Sequence, residues 1–558
     1  VAAHEVGHRP STPALIWGQF RYSTRSFWRT PVAAFFTLVF PATFLVVISA
    51  IAGNAVVDDR SGIRLAQFLA PVFAVFGICM ASFVSLALGV AYAREAGVLK
   101  RLRATPLPSW VHLAGRILTA MFVSLLALLF LVGIGVLFYD VEIVWRTLPA
   151  VLLTVVVGVF CFAALGLAAV SIAPTPGATQ ALTNGGLILL AFISDIFIVQ
   201  LPDWLDSVGW VFPLKHFVNA VADGFNPFLA GNGIYWDHLA VMAAWGIVGV
   251  VVALLLFRWE PRPSHRERVR HRAEDTTMTA ADEASARALA TARSLTPPRR
   301  GDPPTRWAVV RGQVRYSTLG VLRDPMSVFF AVVFPVLLLV FFSAIYGREV
   351  LWGGMPLPQY LAAAFSVYGV AVMAYVNISG GVVDDRSRRI LKRLRGTPLP
   401  PAAYIAGRVG AALVLGLMTV ALVFGVGAAF FGVRVGPWAL LLTVAVYVLI
   451  IASAAALGML LASLVDSPQS AIALALATLL PLSMISDIFV NAPDLPPVLS
   501  TIAWIFPLRH MSWLATQTAY GAGIGSEWLM HAAAVAVWGA VAALLAWRLF
   551  RWEPRRSE

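Results

Sequence analysis

The chain has 558 residues, of which 59% are hydrophobic and only 12% charged, and its formal net charge is +13. Its mean hydropathy is +0.81. Soluble domains carry about a quarter charged residues and about half apolar ones, so this composition excludes a water-soluble globular protein and indicates a chain built for a bilayer.

In chain order, residues 1–30 carry Glu5, Arg9, Arg21, Arg25 and Arg29, and read as a charged lead-in, not a removable leader. Within it, LIWGQFRYSTRSFWR (15–29) mixes Arg, Tyr and Trp and predicts an amphipathic helix in the inner membrane interface. Apolar stretches of spanning length, about 20 residues, follow near 31–53, 67–92, 109–138, 147–172, 178–199 and 236–257. Cys79 and Cys161 each lie inside such a stretch and read as small buried hydrophobes, with no disulfide framework.

Between the second and third stretches stands LKRLRATPLP, residues 99–108. Leu99 and Leu102 are three apart and share one helical face. Lys100, Arg101 and Arg103 cover the rest, and Thr105-Pro106 stops the helix because the residue before proline is driven out of the α region. A short, stiff, basic helix results. It reads as a docking knob for a soluble partner; a plain surface helix meeting lipid phosphate explains its charge but not its repetition.

After the fifth stretch, ISDIFIVQLPDWLDSVGWVFPLKHFVNAVADGF is apolar but interrupted. A charge at the bilayer centre costs about 2.5–3.5 kcal/mol, so Asp195, Lys215 and His216 are expected away from mid-depth lipid. A pair of short helices dipping into the outer leaflet fits, with a bend at Pro213 and with Trp204 and Trp210 in the interface. The bland role is a lid over the outer mouth. A sharper one makes Asp195/Lys215 an ion pair that latches an outer gate, and a third makes His216 a proton site. Residues 258–306 then turn charged, Ala-rich and Pro-ended, a solvated linker with a short helix predicted over 281–293.

The second part of the chain repeats the first. GQFRYST (18–24) returns as GQVRYST (312–318), VFPATFLVVISAI (39–51) as VFPVLLLVFFSAI (333–345), and FPLKH (212–216) as FPLRH (506–510). ISDIF recurs at 485–489, LFRWEPR at 549–555, and the basic decamer as LKRLRGTPLP at 391–400. The docking candidates therefore recur as Leu391, Lys392, Arg393, Leu394, Arg395 and Thr397, and the outer candidates as Asp487, Arg509 and His510. Further spans are predicted near 325–346, 358–383, 402–432, 437–464, 469–490 and 528–549. Twelve spans in two parallel six-helix halves, 1–257 and 307–558, give an all-α integral membrane protein. The stretch 93–108 holds four basic residues against Glu95, and 384–400 holds six against Asp384 and Asp385, whereas 200–237 holds Lys215 against four Asp. That bias predicts both termini and both decamers on the cytoplasmic side of the plasma membrane.

No phosphate-cradling G-x-x-x-x-G-K-[ST] loop occurs, so any ATP hydrolysis belongs to a separate chain. Neither an H-E-x-x-H zinc site nor a G-x-S-x-G elbow is present, which speaks against an intramembrane enzyme. Phe73, Phe76, Met80 and Phe83 fall along the second stretch, with Phe365, Tyr368, Met373 and Tyr375 in its mate, as candidates for a substrate cavity; helix–helix packing is the bland reading of such a stripe.

The two decamers, the ISDIF ends of the fifth stretches and the FPL[KR]H segments together resemble a fused, double-length permease of the ABC-2 type, of the daunorubicin- or tetronasin-like multidrug exporters of actinobacteria. The resemblance covers both halves but not the linker. It implies a type V exporter fold with re-entrant outer helices and a seam lined by spans one, two and five. It further implies coupling helices, Leu99 to Thr105 with Glu95 before them and Leu391 to Thr397, seated on two copies of a separate ATPase that holds ATP and Mg. By the same resemblance the cargo is a hydrophobic drug moved outward, and this chain carries no catalytic residue, cofactor or metal. Acidic residues at Glu95 are common in the family, but the second half has Ser387 there, which implies unequal docking sites. A lipid or glycan exporter is the alternative within the class. A major-facilitator transporter is the alternative outside it, suggested by GGVVDDRSRR (380–389) but spoiled by GVAYAREAGV in the first half.

Overall fold

The computed structural model of the chain describes residues 11–58, 63–105, 107–197, 201–257, 305–347, 349–351, 354–489, 495–521 and 523–553. The linker expected over 258–306, with its short helix at 281–293, lies outside the described residues except for 305 and 306.

The first half opens with α1, Thr12–Trp28, and the first span α2, Pro31–Ile51. A small antiparallel hairpin, Val56–Asp58 with Ile63–Arg64, which the sequence does not announce, leads into α3, Leu65–Glu95. The short α4, Val98–Arg103, is followed by α5, Ser109–Tyr139, α6, Leu148–Ile172, and α7, Pro176–Phe192. Two short helices, α8, Asp203–Gly209, and α9, Pro213–Gly224, precede α10, Trp236–Leu256.

The same succession returns in the second half. It begins with α11, Arg306–Leu322, α12, Pro325–Tyr346, α13, Leu357–Ser387, and the short α14, Ile390–Arg395. Then come α15, Pro401–Phe431, α16, Pro437–Leu464, α17, Pro468–Ile485, α18, Pro497–Ile505, α19, Pro507–Tyr520, and α20, Ser526–Leu549.

Eleven of the described helices are long and apolar enough to cross a membrane. The twelfth expected span, 178–199, is α7, only 17 residues long, because the chain turns at Ile193. The other fifth-span helix, α17, has 18 residues.

Burial orders the spans. The apolar windows of α3 and α13 are 78% and 89% buried, those of α10 and α20 only 17% and 28%, so each half wraps its second span and presents its sixth to lipid. At 31 residues, α3, α5, α13 and α15 are about 46 Å long and outreach a hydrocarbon core of about 30 Å.

One local rule recurs in both halves. Pro41 in α2 has no N–H to give Thr37, and a wide π turn forms over Phe35–Val39. Gly77 of α3 lies against that Thr37 carbonyl, where an added Cβ would stand 2.6 Å away. In the second half Pro335 follows the turn Phe329–Val333, and Gly369 packs on the Ala331 carbonyl, where an added Cβ would stand 2.8 Å away. Only glycine permits these approaches of span two to span one.

The halves meet along two seams. At one, α2 packs on α17, with Val47 in a small core beside Met484 and Ile485. At the other, α7 approaches α12 through side chains: Gly185 beneath Phe329, and Phe192 against Phe341 (5.2 Å) and Phe342 (6.1 Å).

Candidate functional site

At one end of the bundle stand the two short basic helices. Each begins on a left-handed residue that turns the chain sharply out of the second span: Gly97 (φ 68) before α4 and Arg389 (φ 58) before α14. Each stops at its threonine, with Thr105 Oγ1 donating to the Leu102 carbonyl and Thr397 Oγ1 to the Leu394 carbonyl, both at 2.6 Å. The leucines correct the sequence reading. Leu99 and Leu391 are 1% and 0% exposed and join the cores of their own halves, with Leu102 and Leu394 packed beside them. An apolar face next to a bundle of spans finds its partner there, so these leucines anchor the helices and are not surface contacts. The exposed groups are Glu95, Lys100, Arg101 and Thr105 in the first half, and Lys392, Arg393, Arg395 and Thr397 in the second. The Arg103 side chain lies outside the described residues. Lys392 Nζ also sits 3.7 Å from Glu553, and Trp552 stands against Tyr404, so the end of the second half lies beside its basic helix.

Two buried arginines behind these helices were missed by the sequence reading, which counted them only as loop charge. Arg94, at the end of α3, donates to the carbonyls of Val170 (2.9 Å) and Ala173 (2.8 Å) at the C-terminus of α6. Arg386, at the end of α13, donates to the Val465 carbonyl at the end of α16 and lies 3.9 Å from Asp466.

Between the halves lies a cavity of about 1180 Å³. Phe36, Phe40, Phe44 and Ile48 of α2 line it at four-residue spacing, a helical stripe visible in the sequence but not singled out there. Phe334 and Phe342 of α12 face them. Of the eight cavity candidates, Phe76, Met80 and Tyr368 line it. The other five are placed elsewhere. Phe73 packs on Phe44 and Phe197, and Phe365 lies between Phe342 and Phe489. Phe83 packs on Phe162, Met373 is buried beside Asn377, and Tyr375 hydrogen-bonds Thr478 at 2.9 Å. For three of them the reason is local: Phe83, Met373 and Tyr375 lie inside π turns, Met80–Ser85 and Val372–Val376, which widen the helix and rotate side chains off the expected face, whereas Phe73 and Phe365 precede the turns and are buried against neighbouring rings. The charged groups of the cavity wall all come from the second half, among them Asp324, Asp384, Asp385 and Arg408. Asp385 accepts from Arg408 and from Tyr404 (2.7 Å), and Asp384 pairs with Arg388 at 2.9 Å.

At the opposite end the structure brings the outer candidates together. Asp195 (φ 59) and Asp487 (φ 54) each occupy a left-handed turn at the end of the fifth-span helix, a conformation aspartate tolerates better than most residues. Lys215 is buried and contacts Asp195 at 3.2 Å and Asp206 more closely, while Asn219 donates to the second Asp195 oxygen at 3.0 Å. The hydrogen bond from Lys215 holds the Asp206 carboxyl below the usual carboxylate range. The mate is thinner. Arg509 meets Asp487 at 3.2 Å and lies 4.5 Å over the Trp504 ring, but its Nε and Nη1 have no protein partner.

His216 and His510 turn out to be members of pairs. His216 Nδ1 faces His238 Nδ1 at 2.9 Å, and His510 Nδ1 faces His531 Nδ1 at 2.7 Å. Each outer imidazole also gives its Nε2 to a tryptophan carbonyl, Trp210 or Trp504, at 2.8 and 2.9 Å. That carbonyl can only accept, so His216 and His510 each carry a proton on Nε2, and across each Nδ1–Nδ1 contact one ring donates and the other accepts. These pairs tie α9 to α10 and α19 to α20.

The family model described as ABC-2 type transporter matches residues 14–226 and again 311–518. No curated protein matches the chain.

Proposed function

The chain belongs to the ABC-2 type transporter family, and we propose from that premise that it is a fused, double-length permease that exports hydrophobic drug-like molecules across the plasma membrane, driven by two copies of a separate ATPase. In this reading residues 1–257 and 307–558 are the two halves, joined by a cytoplasmic linker at 258–306. The basic helices α4 and α14 face the cytoplasm and seat the ATPase subunits through their exposed charges, Glu95, Lys100 and Arg101 on one side and Lys392, Arg393 and Arg395 on the other. ATP and Mg belong to those subunits.

The observation that carries this reading is the cavity at the seam of the halves, large enough for a drug-sized ligand and lined by phenylalanine and aliphatic side chains. Phenylalanine and aliphatic side chains predominate in its described lining, which favours an apolar cargo over a glycan. The outer helices α8, α9, α18 and α19 form the lid, with Asp195/Lys215 and Asp487/Arg509 as its latches.

The test is isolation of the tagged chain from its own cells in mild detergent. Two nucleotide-hydrolysing subunits per chain are expected. Reversing Lys100, Arg101, Lys392 and Arg393 to Glu should abolish their recovery while leaving thermal stability unchanged. Undiminished recovery from that variant, or purification with no ATPase at all, contradicts the reading.

A further inference from the structure

We propose that Arg94 and Arg386 are positioning residues that pass displacement of the basic helices into the fifth-span helices, and through them to the outer ion pairs. The inference rests on the exporter reading above, and it names the link between motor and outer gate.

Arg94 lies three residues before Gly97, which turns the chain into α4 at Val98, so the guanidinium sits at the root of the basic helix. It is 5% exposed. Its two terminal nitrogens hold two carbonyls at the end of α6, Val170 in the last turn and Ala173 at the cap, groups that have no donor within their own helix. A cation is also favoured there by the negative end of the helix dipole. Immediately beyond, Ala173 is extended, and Thr175 caps α7 by accepting from the Ala178 N–H at 3.2 Å. The lower end of α7 is thus fixed to the root of α4 through one side chain.

Arg386 repeats the arrangement with other neighbours. It is 1% exposed and donates to Val465, the extended cap of α16, and Ser467 then caps α17 by accepting from the Ser470 N–H at 3.0 Å. Flanking residues differ, Ala93 and Glu95 in one half and Asp385 and Ser387 in the other, yet the arginine and its target are the same. A helix end needing only closure is satisfied by water or a backbone N–H. Burying a cation from a neighbouring span carries a desolvation penalty, and in return it fixes the position of span two relative to the turn between spans four and five.

The far ends of the same helices carry the outer pairs. Asp195, just past α7, holds Lys215 and Asn219 of α9. Ile193 offers its carbonyl to Gly209 so closely that an added Cβ would lie 2.2 Å away. Asp487, just past α17, holds Arg509 of α19. Each fifth-span helix is one continuous element of about 26 Å, with Pro481 in the outer part of α17, gripped at one end by an arginine from the root of a basic helix and at the other by an outer ion pair. Shared bias on one such element is what couples two distant sites.

The test uses the complex purified with its ATPase, spin-labelled at Trp204→Cys on α8 and Val498→Cys on α18, both exposed. The label-to-label distance is measured without nucleotide and after trapping with ATP and vanadate. The parent complex should show a nucleotide-dependent change. Arg94→Met with Arg386→Met should hydrolyse ATP at the parent rate and lose that change. Arg94→Lys with Arg386→Lys should recover part of it, since an ammonium still reaches one carbonyl. A full distance change in the methionine variant overturns the proposal, whereas no change in the parent overturns the exporter reading and the proposal with it. Hydrogen exchange on the permease alone in nanodiscs gives a second reading that needs no ATPase. Arg94→Met should speed exchange at the amides of Thr175, Gly177, Ala178 and Thr179 by about tenfold or more and leave those of Asp466, Ser467, Gln469, Ser470 and Ala471 alone, with the reverse for Arg386→Met. Parent-like exchange at both turns shows that the arginines hold nothing and also overturns it.

Discussion

Replacing Asp487 by Asn should destabilise the protein far more than replacing Asp195 by Asn, although the two occupy the same place in the repeat. Lys215 has two carboxylates, Asp195 and Asp206, so Asp195→Asn leaves the buried ammonium with one charged partner. Loss of one of two charge-assisted contacts costs about 1.5–3 kcal/mol. Arg509 has Asp487 as its one carboxylate partner among the described residues, beside the Trp504 ring, and its Nε and Nη1 have no hydrogen-bond partner among those residues. Asp487→Asn therefore leaves a buried guanidinium uncompensated, a loss of about 3–5 kcal/mol. Treating a half of about 250 residues as one cooperative unit that shifts about 2–4 °C per kcal/mol, Asp487→Asn should lower Tm by roughly 6–20 °C and Asp195→Asn by clearly less. The assay is thermal unfolding of the purified chain in one detergent at one scan rate. Asp487→Asn combined with Arg509→Met removes both charges and should recover most of the loss, because replacing a buried pair together is often neutral. Equal shifts for the two asparagine variants, or a larger one for Asp195→Asn, would refute the reasoning.

Three other outcomes follow from the geometry. Leu99→Ala or Leu391→Ala should cost about 2–5 kcal/mol by opening the core beneath a basic helix, measured as a fall in Tm, whereas Arg393→Glu, at an exposed position, should leave Tm where it is. Gly115→Val should push α1 off α5, because a Cβ at Gly115 would lie 2.4 Å from that of Gln19; overpacking of this kind costs about 1–3 kcal/mol, and faster proteolytic cleavage in α1 is the readout. For Asp206 the folded carboxyl is held below its ordinary value by Lys215. Its stabilisation is therefore fully present above the unfolded value of about 3.9 and is lost as pH falls through the lowered folded value. Tm against pH should drop less steeply across that acid window in Asp206→Asn than in the parent.

How much of this was legible in the sequence depended on what repetition could reveal. The decamers and the Asp195/Lys215 and Asp487/Arg509 pairs could be read because chemically costly residues recurred at nearly the same offset inside apolar surroundings. Arg94 and Arg386 carried the same signal, at the decamers' own offset, but a charge tally for topology absorbs an arginine without asking whether it is buried. His238 and His531 were out of reach: each lies more than twenty residues from its partner, across a loop whose path the sequence does not specify. The leucines of the basic helices were assigned to the right helix but the wrong neighbour, since a two-leucine face fits a partner protein or its own bundle equally well until the tilt of the helix is known. The cavity stripe failed at Phe83, Met373 and Tyr375 because a π turn adds a residue to the helical count where the periodicity assumed a constant 3.6, and at Phe73 and Phe365 because neighbouring rings cover them. The unequal outer pairs were hidden as well, because Asp206 lies in the part of the repeat where the offset shifts.

The central claim is tested most directly in proteoliposomes that hold the permease with its co-purified ATPase and a lipophilic fluorescent dye. The account predicts dye movement that requires hydrolysable ATP, stops with vanadate and is indifferent to collapse of the proton and sodium gradients. Movement by the permease alone, driven by either gradient without nucleotide, would contradict it.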